Sequence, residues 1–243
     1  MELTVLGCGD AFASDGRFNT SFMLSENDFN VMIDCGASTL VRVKQVGLSA
    51  DDIDMVFITH FHGDHYGGLP FLIISKQFET YKSRPLKIVG PTGIESKVRI
   101  LQDVLYPDTS RFIDEMDIQF IEYQDGQGLE INDLKVLAKG VTHSPLSIPH
   151  GIRIEWSDKI FAFSGDTEWD DSIIELSNDA DLLIVECNNL AHDSPGHLSY
   201  ETLRNKSSLL TAKSIFLTHM GVDVIDNEEI AFGKLDDGMI LNF

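Results

Sequence analysis

Cysteine is scarce in this 243-residue sequence, and it has no long apolar run. The three cysteines, Cys8, Cys35 and Cys187, are far apart and form no Cys-x-x-Cys pair. Their odd number and wide spacing argue against a disulfide framework and against a thiolate zinc site. The longest apolar run, residues 69–74, is far too short to cross a bilayer. We therefore expect no membrane partner.

The N-terminal segment lacks the features of a targeting signal. It begins Met-Glu-Leu-Thr-Val and has neither a basic stretch nor a long apolar one, so no signal peptide is visible. Unpaired cysteines also fit a reducing compartment. A cytoplasmic location is therefore expected.

Positive charge is scarce as well. Lys and Arg number 18 against 39 Asp and Glu, which gives a formal net charge of -21. Such a surface on average repels a polyanion, so nucleic acid is disfavoured as a partner. One local basic cluster is interpreted as a solvated helix end and loop. Its members are Lys76, Lys82, Arg84 and Lys87.

The organisation of the chain indicates one domain. Hydrophobic residues make up 43% of the sequence, which is enough for a large core. The most loop-like internal stretch, residues 122–130, is acidic and contains two glycines. Sequence patterns on its two sides echo each other. We predict a single domain over residues 1–243, built from two similar halves at about 1–121 and 131–243.

Short apolar runs of strand length end in polar residues in both halves. The runs are residues 30–34 ending at Asp34, 53–58 before His60, 159–163 before Asp166, 180–185 before Glu186, and 214–217 before His219. Helical patterns lie between them at residues 39–46, 70–78, 93–105, 172–176 and 200–210. This alternation predicts an α/β protein whose sheets are covered by helices.

Four potential metal ligands, His60, His62, Asp64 and His65, lie within six residues. They follow a predicted strand, and strand-end loops are where α/β folds place groups that handle ligands. Packing alone explains them poorly, because buried imidazoles and carboxylates need partners. The segment therefore predicts a metal site.

Four further polar residues, His143, Asp166, His197 and His219, also follow predicted strands. Each of them, taken alone, is more often a satisfied core or loop residue than a ligand. Their value is collective, because they recur at the same kind of strand end. A single metal needs only three or four ligands. The whole set therefore indicates two adjacent metals with a carboxylate between them.

These motifs carry a family resemblance. A His-x-His-x-Asp-His signature at 60–65, a lone His143, Ser-Gly-Asp-Thr at 164–167 and a late Thr-His at 218–219 resemble the metallo-β-lactamase-fold hydrolases. Within them the chain is most similar to the ribonuclease Z and phosphodiesterase-like branch, which also has a Gly-His-Leu/Met-Ser/Thr segment like that at 196–199. The similarity runs from residues 3–7 through 33–36 to 237–240, which is nearly the whole chain.

The resemblance implies a four-layer αββα sandwich with the site along the edge between the sheets. It assigns His60, His62 and His143 to one metal, Asp64, His65 and His219 to the other, and Asp166 to a bridge between them. Asp34 resembles the family's buried aspartate, which orients a ligand histidine; a strand-end turn residue is the equal alternative. The resemblance also leaves a homodimer open.

The predicted ligands suit zinc, with manganese or iron as alternatives, because the site mixes nitrogen and oxygen donors. Two such ions lower the pKa of a shared, bridging water from about 16 to near 7. By resemblance, His197 is the candidate proton donor or transition-state stabiliser. Asp64 is expected both to ligate a metal and to orient the nucleophile.

Several residues near the motifs have weaker assignments. Glu168 and Trp169 line the pocket or simply begin a helix. Arg17 reaches a substrate phosphate or has only a solubility role. His150 and His192 are expected at surface or loop positions.

The leading functional hypothesis is a dinuclear phosphodiesterase that acts on a small or cyclic phosphodiester. The runner-up is a tRNA 3′-end endonuclease of the ribonuclease Z kind, whose tRNA-gripping arm normally lies between the lone His and the bridging Asp. His143 and Asp166 are only 23 positions apart, so this arm is absent here. A lactonase or β-lactamase-type carbonyl hydrolase stays open, since fold does not fix function. A non-catalytic metal-binding or regulatory module is disfavoured because every ligand position is filled.

Overall fold

The computed structural model describes residues 1–79 and 84–243, so Lys82 lies outside the described residues. The strands are β1 (Glu2–Gly7), β2 (Ser21–Glu26), β3 (Phe29–Ile33), β4 (Met55–Phe57), β5 (Leu86–Gly90), β6 (Ile118–Glu122), β7 (Gly128–Ile131), β8 (Leu134–Gly140), β9 (His150–Trp156), β10 (Lys159–Phe163), β11 (Leu182–Glu186), β12 (Ile215–Thr218), β13 (Gly233–Lys234) and β14 (Ile240–Asn242). The α-helices are α1 (Thr39–Gln45), α2 (Gly63–Tyr66), α3 (Leu69–Glu79), α4 (Ile94–Leu105), α5 (Arg111–Glu115), α6 (Ser172–Ser177), α7 (Tyr200–Lys206) and α8 (Val222–Ile225). None of the helices in these two ranges could span a bilayer.

The strands form two seven-stranded sheets with the same pairing pattern. In the first sheet β14, β1, β2 and β3 are antiparallel neighbours, and β3 to β6 run parallel. In the second sheet β7 to β10 are antiparallel, and β10 to β13 run parallel. The C-terminal strand β14 returns to pair with β1, so the second half of the sequence contributes one strand to the first sheet.

Three apolar layers hold the sheets and helices together. Between the sheets, Phe22 and Phe163 meet edge to face with ring centroids 5.3 Å apart. Burying one such side chain contributes about 1.5–3 kcal/mol. Val43 of α1 and Val98 of α4 cover the outer face of the first sheet, and Leu203 of α7 covers that of the second. This arrangement confirms the predicted four-layer αββα sandwich.

Parallel strands place the functional loops at one edge. Because β3 and β4 run parallel, as do β10, β11 and β12, the carboxyl ends within each group lie side by side. The polar residues at or just after these ends are Asp34, His60, Asp166, Glu186 and His219. The β9–β10 hairpin fills the short span from His143 to Asp166, as the spacing predicts.

Some local predictions were wrong. His150 is not at a surface or loop position but begins β9 and is buried, and its Nδ1 donates to the Ile148 carbonyl. Lys76 is not solvated but fully buried, with Nζ 2.9 Å from Asp51. The helix predicted for residues 200–210 ends at Lys206, and a 3₁₀ turn follows. In each case a tertiary contact or a local turn overrides the sequence pattern.

Candidate metal centre

Histidine and carboxylate side chains from four segments meet at the edge between the two sheets. The loop after β4 supplies His60 and His62, and the short helix α2 that follows it supplies Asp64 and His65. The loops after β8, β10 and β12 supply His143, Asp166 and His219. Their ligand atoms fall into two groups, and within each group these atoms lie within 4.8 Å of one another. The structure therefore brings together all seven predicted ligands.

The first group is made of three imidazoles. His62 Nδ1 lies 3.1 Å from His60 Nε2 and 3.0 Å from His143 Nε2. Three ring nitrogens thus converge on one point, as the ligands of a divalent cation do.

The second group is centred on one carboxylate oxygen. Asp166 Oδ2 lies 3.1 Å from His65 Nε2 and 3.2 Å from His219 Nε2. It also lies 3.7 Å from His60 Nε2, which belongs to the first group. Asp64 Oδ2 completes the second group at 3.2 Å from His65 Nε2. Asp166 therefore lies between the two groups, where a bridging ligand would be.

The buried carboxylate of Asp34 orients two of these rings. Asp34 Oδ2 accepts a hydrogen bond from His65 Nδ1 at 2.8 Å and another from the Thr59 hydroxyl at 2.8 Å. Because that hydroxyl donates its only proton to Asp34, its oxygen accepts from His60 Nδ1, 3.0 Å away. Both rings are thus held with Nε2 facing the cluster, the arrangement typical of metal-ligating histidines. Asp34 also occupies a left-handed backbone turn with φ 58° after β3. It is therefore both a residue that orients a histidine and a strand-end turn residue.

His143 is oriented by a glycine carbonyl. Its Nδ1 donates to the Gly196 oxygen at 2.7 Å, which leaves Nε2 for the cluster. Gly196 has φ +82°, and a Cβ at this position would lie 2.5 Å from His143 Nδ1. Only glycine fits both the left-handed backbone and the close approach.

Gly196→Ala is expected to weaken metal binding, because the new methyl group displaces the His143 ring. Loss of a ligand's hydrogen-bonded support typically lowers metal affinity or activity about 10- to 100-fold. Zinc affinity can be measured by competition with a chromophoric chelator. Gly47→Ala is the matched control: its φ is +83°, yet its Cβ would meet no described atom within 4 Å. Equal zinc affinity in the two variants would contradict this role of Gly196.

The electrostatics of the cluster favour added positive charge. Burial lowers the pKa of a histidine, but the Asp166 and Asp64 carboxylates outweigh it and raise the pKa of His219 to about 9. The pKa of His65 is raised well above its usual value against the same burial, chiefly by Asp166. Burial works in the other direction on Asp166, yet His219 and His65 hold its pKa well below the usual range. The carboxylates that favour protonation of His65 and His219 would therefore also stabilise a bound cation at this position.

An unpaired buried atom gives a further test of whether a metal fits. Within residues 1–79 and 84–243, Asp166 Oδ1 is buried without a hydrogen-bond partner. Such an atom is costly to leave unsatisfied. Asp166 belongs to the second group of nitrogen and oxygen donors, which suits zinc, manganese or iron. The residues present therefore fit divalent cations.

Glu186 is a site residue whose role the sequence did not reveal. Its buried carboxylate lies 2.9 Å from His197 Nδ1 and also accepts the Thr167 backbone N–H at 2.7 Å. Burial lowers the pKa of His197, but the hydrogen bond to Glu186 outweighs burial and raises it. The sequence did contain a signal for a site role, because Glu186 directly follows the apolar run 180–185, as other site residues follow theirs.

His197 lies beside the cluster on a loop rather than at a strand end, which corrects the predicted placement. It is in the segment between β11 and α7. Its ring centroid is 4.9 Å from that of His143, and it stacks on His219 at 5.3 Å. The side chain is partly exposed, so a substrate on the cluster can reach it.

Among the weaker assignments, Arg17 makes contacts within the protein, and its reach to a substrate phosphate stays a prediction. Its Nη1 donates to the Leu235 carbonyl at 2.8 Å and to Cys8 Sγ at 3.2 Å, so the guanidinium ties the C-terminal segment to the N-terminal loop. His192 is exposed on a loop, as expected. Glu168 precedes α6 and accepts the Gly196 backbone N–H. Trp169 donates from Nε1 to Asp171.

Comparison with known sequences gives both a family and named relatives. Residues 1–235 match the family described as anti-Pycsar protein Apyc1. The probable metallo-hydrolase YhfI of Bacillus subtilis is 25% identical over 223 residues, covering 90% of this chain and 87% of that protein. Ribonuclease Z of Lachnoclostridium phytofermentans is 30% identical over 156 residues, covering 64% of this chain and 49% of that protein. The chain thus spans about half the length of the ribonuclease Z relatives it matches there.

Solved structures agree with this assignment at the level of the fold. The metallo-β-lactamase-fold protein YhfI superposes with a TM-score of 0.80 at 21% identity, over 99% of both chains. The short form of human tRNase Z has a TM-score of 0.80 at 22% identity, over 100% of this chain and 99% of that one. The chain therefore belongs to the anti-Pycsar protein Apyc1 family and has the metallo-β-lactamase fold of the ribonuclease Z and phosphodiesterase-like hydrolases.

Proposed function

We propose that this chain is a dinuclear metal-dependent phosphodiesterase that hydrolyses a small or cyclic phosphodiester. The observation that carries the proposal is the position of Asp166 Oδ2, within 3.7 Å of histidine nitrogens from both ligand groups. One shared oxygen between a three-histidine group and a mixed group suits two adjacent ions, with zinc as the preferred metal.

The ions and the protein have separate tasks in this proposal. When bound, divalent cations supply a water of lowered pKa and neutralise charge that develops on phosphoryl oxygens. Asp64 lies at the open side of the second group, where one oxygen can ligate and the other can orient the attacking water. Asp34 and Gly196 keep the ligand rings aimed at the cluster.

His197 is the proposed proton donor to the leaving group. Its Nδ1 is bonded to Glu186, so Nε2 is the free nitrogen on the side of the cluster. Cleavage of a phosphodiester releases a poor alkoxide, which a donor at Nε2 protonates as the bond breaks. General acid catalysis of this kind is worth about 10²–10⁴-fold. The presence of such a donor favours phosphorus over a carbonyl substrate.

The surroundings of the centre favour a small substrate. A cavity of about 530 Å³ borders His143, with Val141, Pro145 and Ile148 among its apolar walls. Small-molecule sites usually measure about 300–1,000 Å³. The net charge of -21 and the short hairpin after His143 disfavour a long RNA.

The second candidate is a tRNA 3′-end endonuclease, and the names of the ribonuclease Z relatives are the observation that favours it. Those relatives are about twice as long as the matched segment. The resemblance implies a tRNA-gripping arm between the lone His and the bridging Asp in that branch, and in this chain the same span holds the β9–β10 hairpin.

A substrate comparison tests the proposal. Zinc- and manganese-loaded protein is assayed on a chromogenic phosphodiester, cyclic nucleotides, a lactone and a precursor tRNA. We expect kcat/KM for at least one small phosphodiester to exceed that for precursor tRNA by about 10³-fold, the discrimination that a transition-state difference of about 4 kcal/mol gives. The chelator-treated protein is the control for metal-independent hydrolysis. Faster cleavage of precursor tRNA would support the second candidate, and faster lactone hydrolysis would support a carbonyl hydrolase.

A further inference from the structure

Glu168 forms a hydrogen bond to Gly196, the glycine that contacts His143 and directly precedes His197. Its Oε1 accepts the Gly196 backbone N–H at 2.8 Å. The carbonyl of the same glycine accepts from His143 Nδ1 at 2.7 Å, and His197 is the next residue. Gly196 is therefore in contact with Glu168, His143 and His197 at once.

The segment that carries Glu168 is itself fixed to the His143 loop. The Glu168 backbone N–H donates to the Thr142 carbonyl at 2.9 Å, and the Thr142 N–H donates to Thr167 Oγ1 at 3.1 Å. The Thr142 hydroxyl donates to Asp170 at 2.8 Å. These bonds join residues 142–143 to residues 166–170. The backbone that carries the Glu168 carboxylate is therefore fixed relative to the predicted ligands His143 and Asp166.

Before Gly196, the loop that carries His197 has internal contacts and contacts to α7 and α8. Ser194 and His197 exchange backbone hydrogen bonds, and Asn189 Nδ2 donates to the Ser194 hydroxyl at 2.8 Å. Glu186 holds the imidazole of His197 itself. The bond from Gly196 to Glu168 is thus a direct tie between the backbone of this loop and the segment of Asp166.

We infer that Glu168 is a positioning residue, which holds Gly196 so that the His143 and His197 rings keep their working orientation. The inference rests on the proposed function only for the catalytic part of its test. An ionised acceptor binds a backbone N–H about twice as strongly as a neutral one. Loss of the carboxylate frees the loop, and both rings then lose alignment with the cluster.

Three variants separate this role from a general structural effect. Glu168→Ala removes the acceptor, whereas Glu168→Gln keeps an oxygen that can accept the Gly196 N–H. Glu175→Ala, on α6, is the matched control, because its carboxylate pairs with Lys139 on the surface away from the cluster.

The first readout is hydrogen exchange of the peptide spanning residues 189–198 in the metal-free protein. We expect faster exchange of the Gly196 amide in Glu168→Ala and nearly wild-type exchange in Glu168→Gln and Glu175→Ala. The second readout is steady-state hydrolysis of a phosphodiester with an alkoxide leaving group by the metal-loaded protein. Glu168→Ala should lower kcat by about 10- to 100-fold with little change in KM, and Glu168→Gln should restore most of the loss.

Two results would overturn the inference. One is unchanged exchange of the Gly196 amide together with unchanged kcat in Glu168→Ala. The other is a rise in KM that Glu168→Gln fails to reverse, since that pattern belongs to a residue that contacts the substrate directly. If the wild-type protein hydrolyses none of the phosphodiesters, the proposed function fails, while the exchange experiment still decides whether Glu168 positions the loop.

Discussion

Asp166→Ala is expected to remove at least one of two bound metals and to abolish hydrolysis. The variant loses the oxygen that lies between both ligand groups, 3.1 Å from His65 Nε2 and 3.2 Å from His219 Nε2. Loss of several kcal/mol of charge stabilisation in the transition state lowers the rate by about 10³-fold or more.

Metal content is measured by elemental analysis of the folded protein after gel filtration, and kcat/KM is measured on the best small phosphodiester. The wild-type chain should carry close to two ions, as expected for two ligand groups. Asp158→Ala, in the exposed turn between β9 and β10, is the matched control and should retain both ions. Two ions and a full rate in Asp166→Ala would be incompatible with a bridging role, and a wild-type protein that never carries metal would refute the metal centre itself.

His197→Ala is expected to keep both metals and yet slow hydrolysis by about 10²–10⁴-fold, the usual worth of a general acid. Glu186 holds the ring, and the two groups of predicted ligands are complete without His197. The loss should fall mainly on kcat, because the proton is needed only as the leaving oxygen departs.

The dependence on leaving group makes this prediction sharper. A nitrophenolate leaves readily without a proton, whereas an alkoxide does not, so the defect should grow with the pKa of the leaving alcohol. His192→Ala is the matched control, since His192 is exposed on the same loop and should leave the rate unchanged. Loss of metal from His197→Ala would make His197 a ligand instead, and an equal defect on both leaving groups would exclude the role of acid.

Strand-end placement was the part of the site that the sequence could predict. Apolar runs end at or shortly before Asp34, His60, Asp166 and His219, and parallel pairing then brings these residues to one edge. The same reasoning gave the layered fold, because strand and helix patterns alternate and each sheet needs a cover on its outer face. Short-range patterns of this kind depend on neighbours within a few residues, which the sequence displays directly.

Pairings between distant segments could not be obtained in this way. Arg17 bonds to Leu235 across 218 positions, and no local pattern shows that its guanidinium is occupied. The bond between Glu168 and Gly196 spans 28 positions and depends on how two loops approach each other. Lys76 looked solvated because its partner, Asp51, lies 25 positions earlier in the chain. Such contacts are decided by tertiary geometry rather than by residue type.

The single carboxylate of Asp34 serves one ring from each ligand group, His60 through Thr59 and His65 directly. In the proposed metal centre, an ion that polarises one of these rings strengthens that ring's bond to Asp34 and changes the charge available to the other. The two binding events then share a free-energy term, and thermodynamic linkage requires that term to be reciprocal. Whatever the first ion does to the affinity for the second, the second does equally to the first. Metal uptake by the proposed centre is accordingly expected to follow two linked stepwise constants rather than one intrinsic affinity repeated at two independent positions.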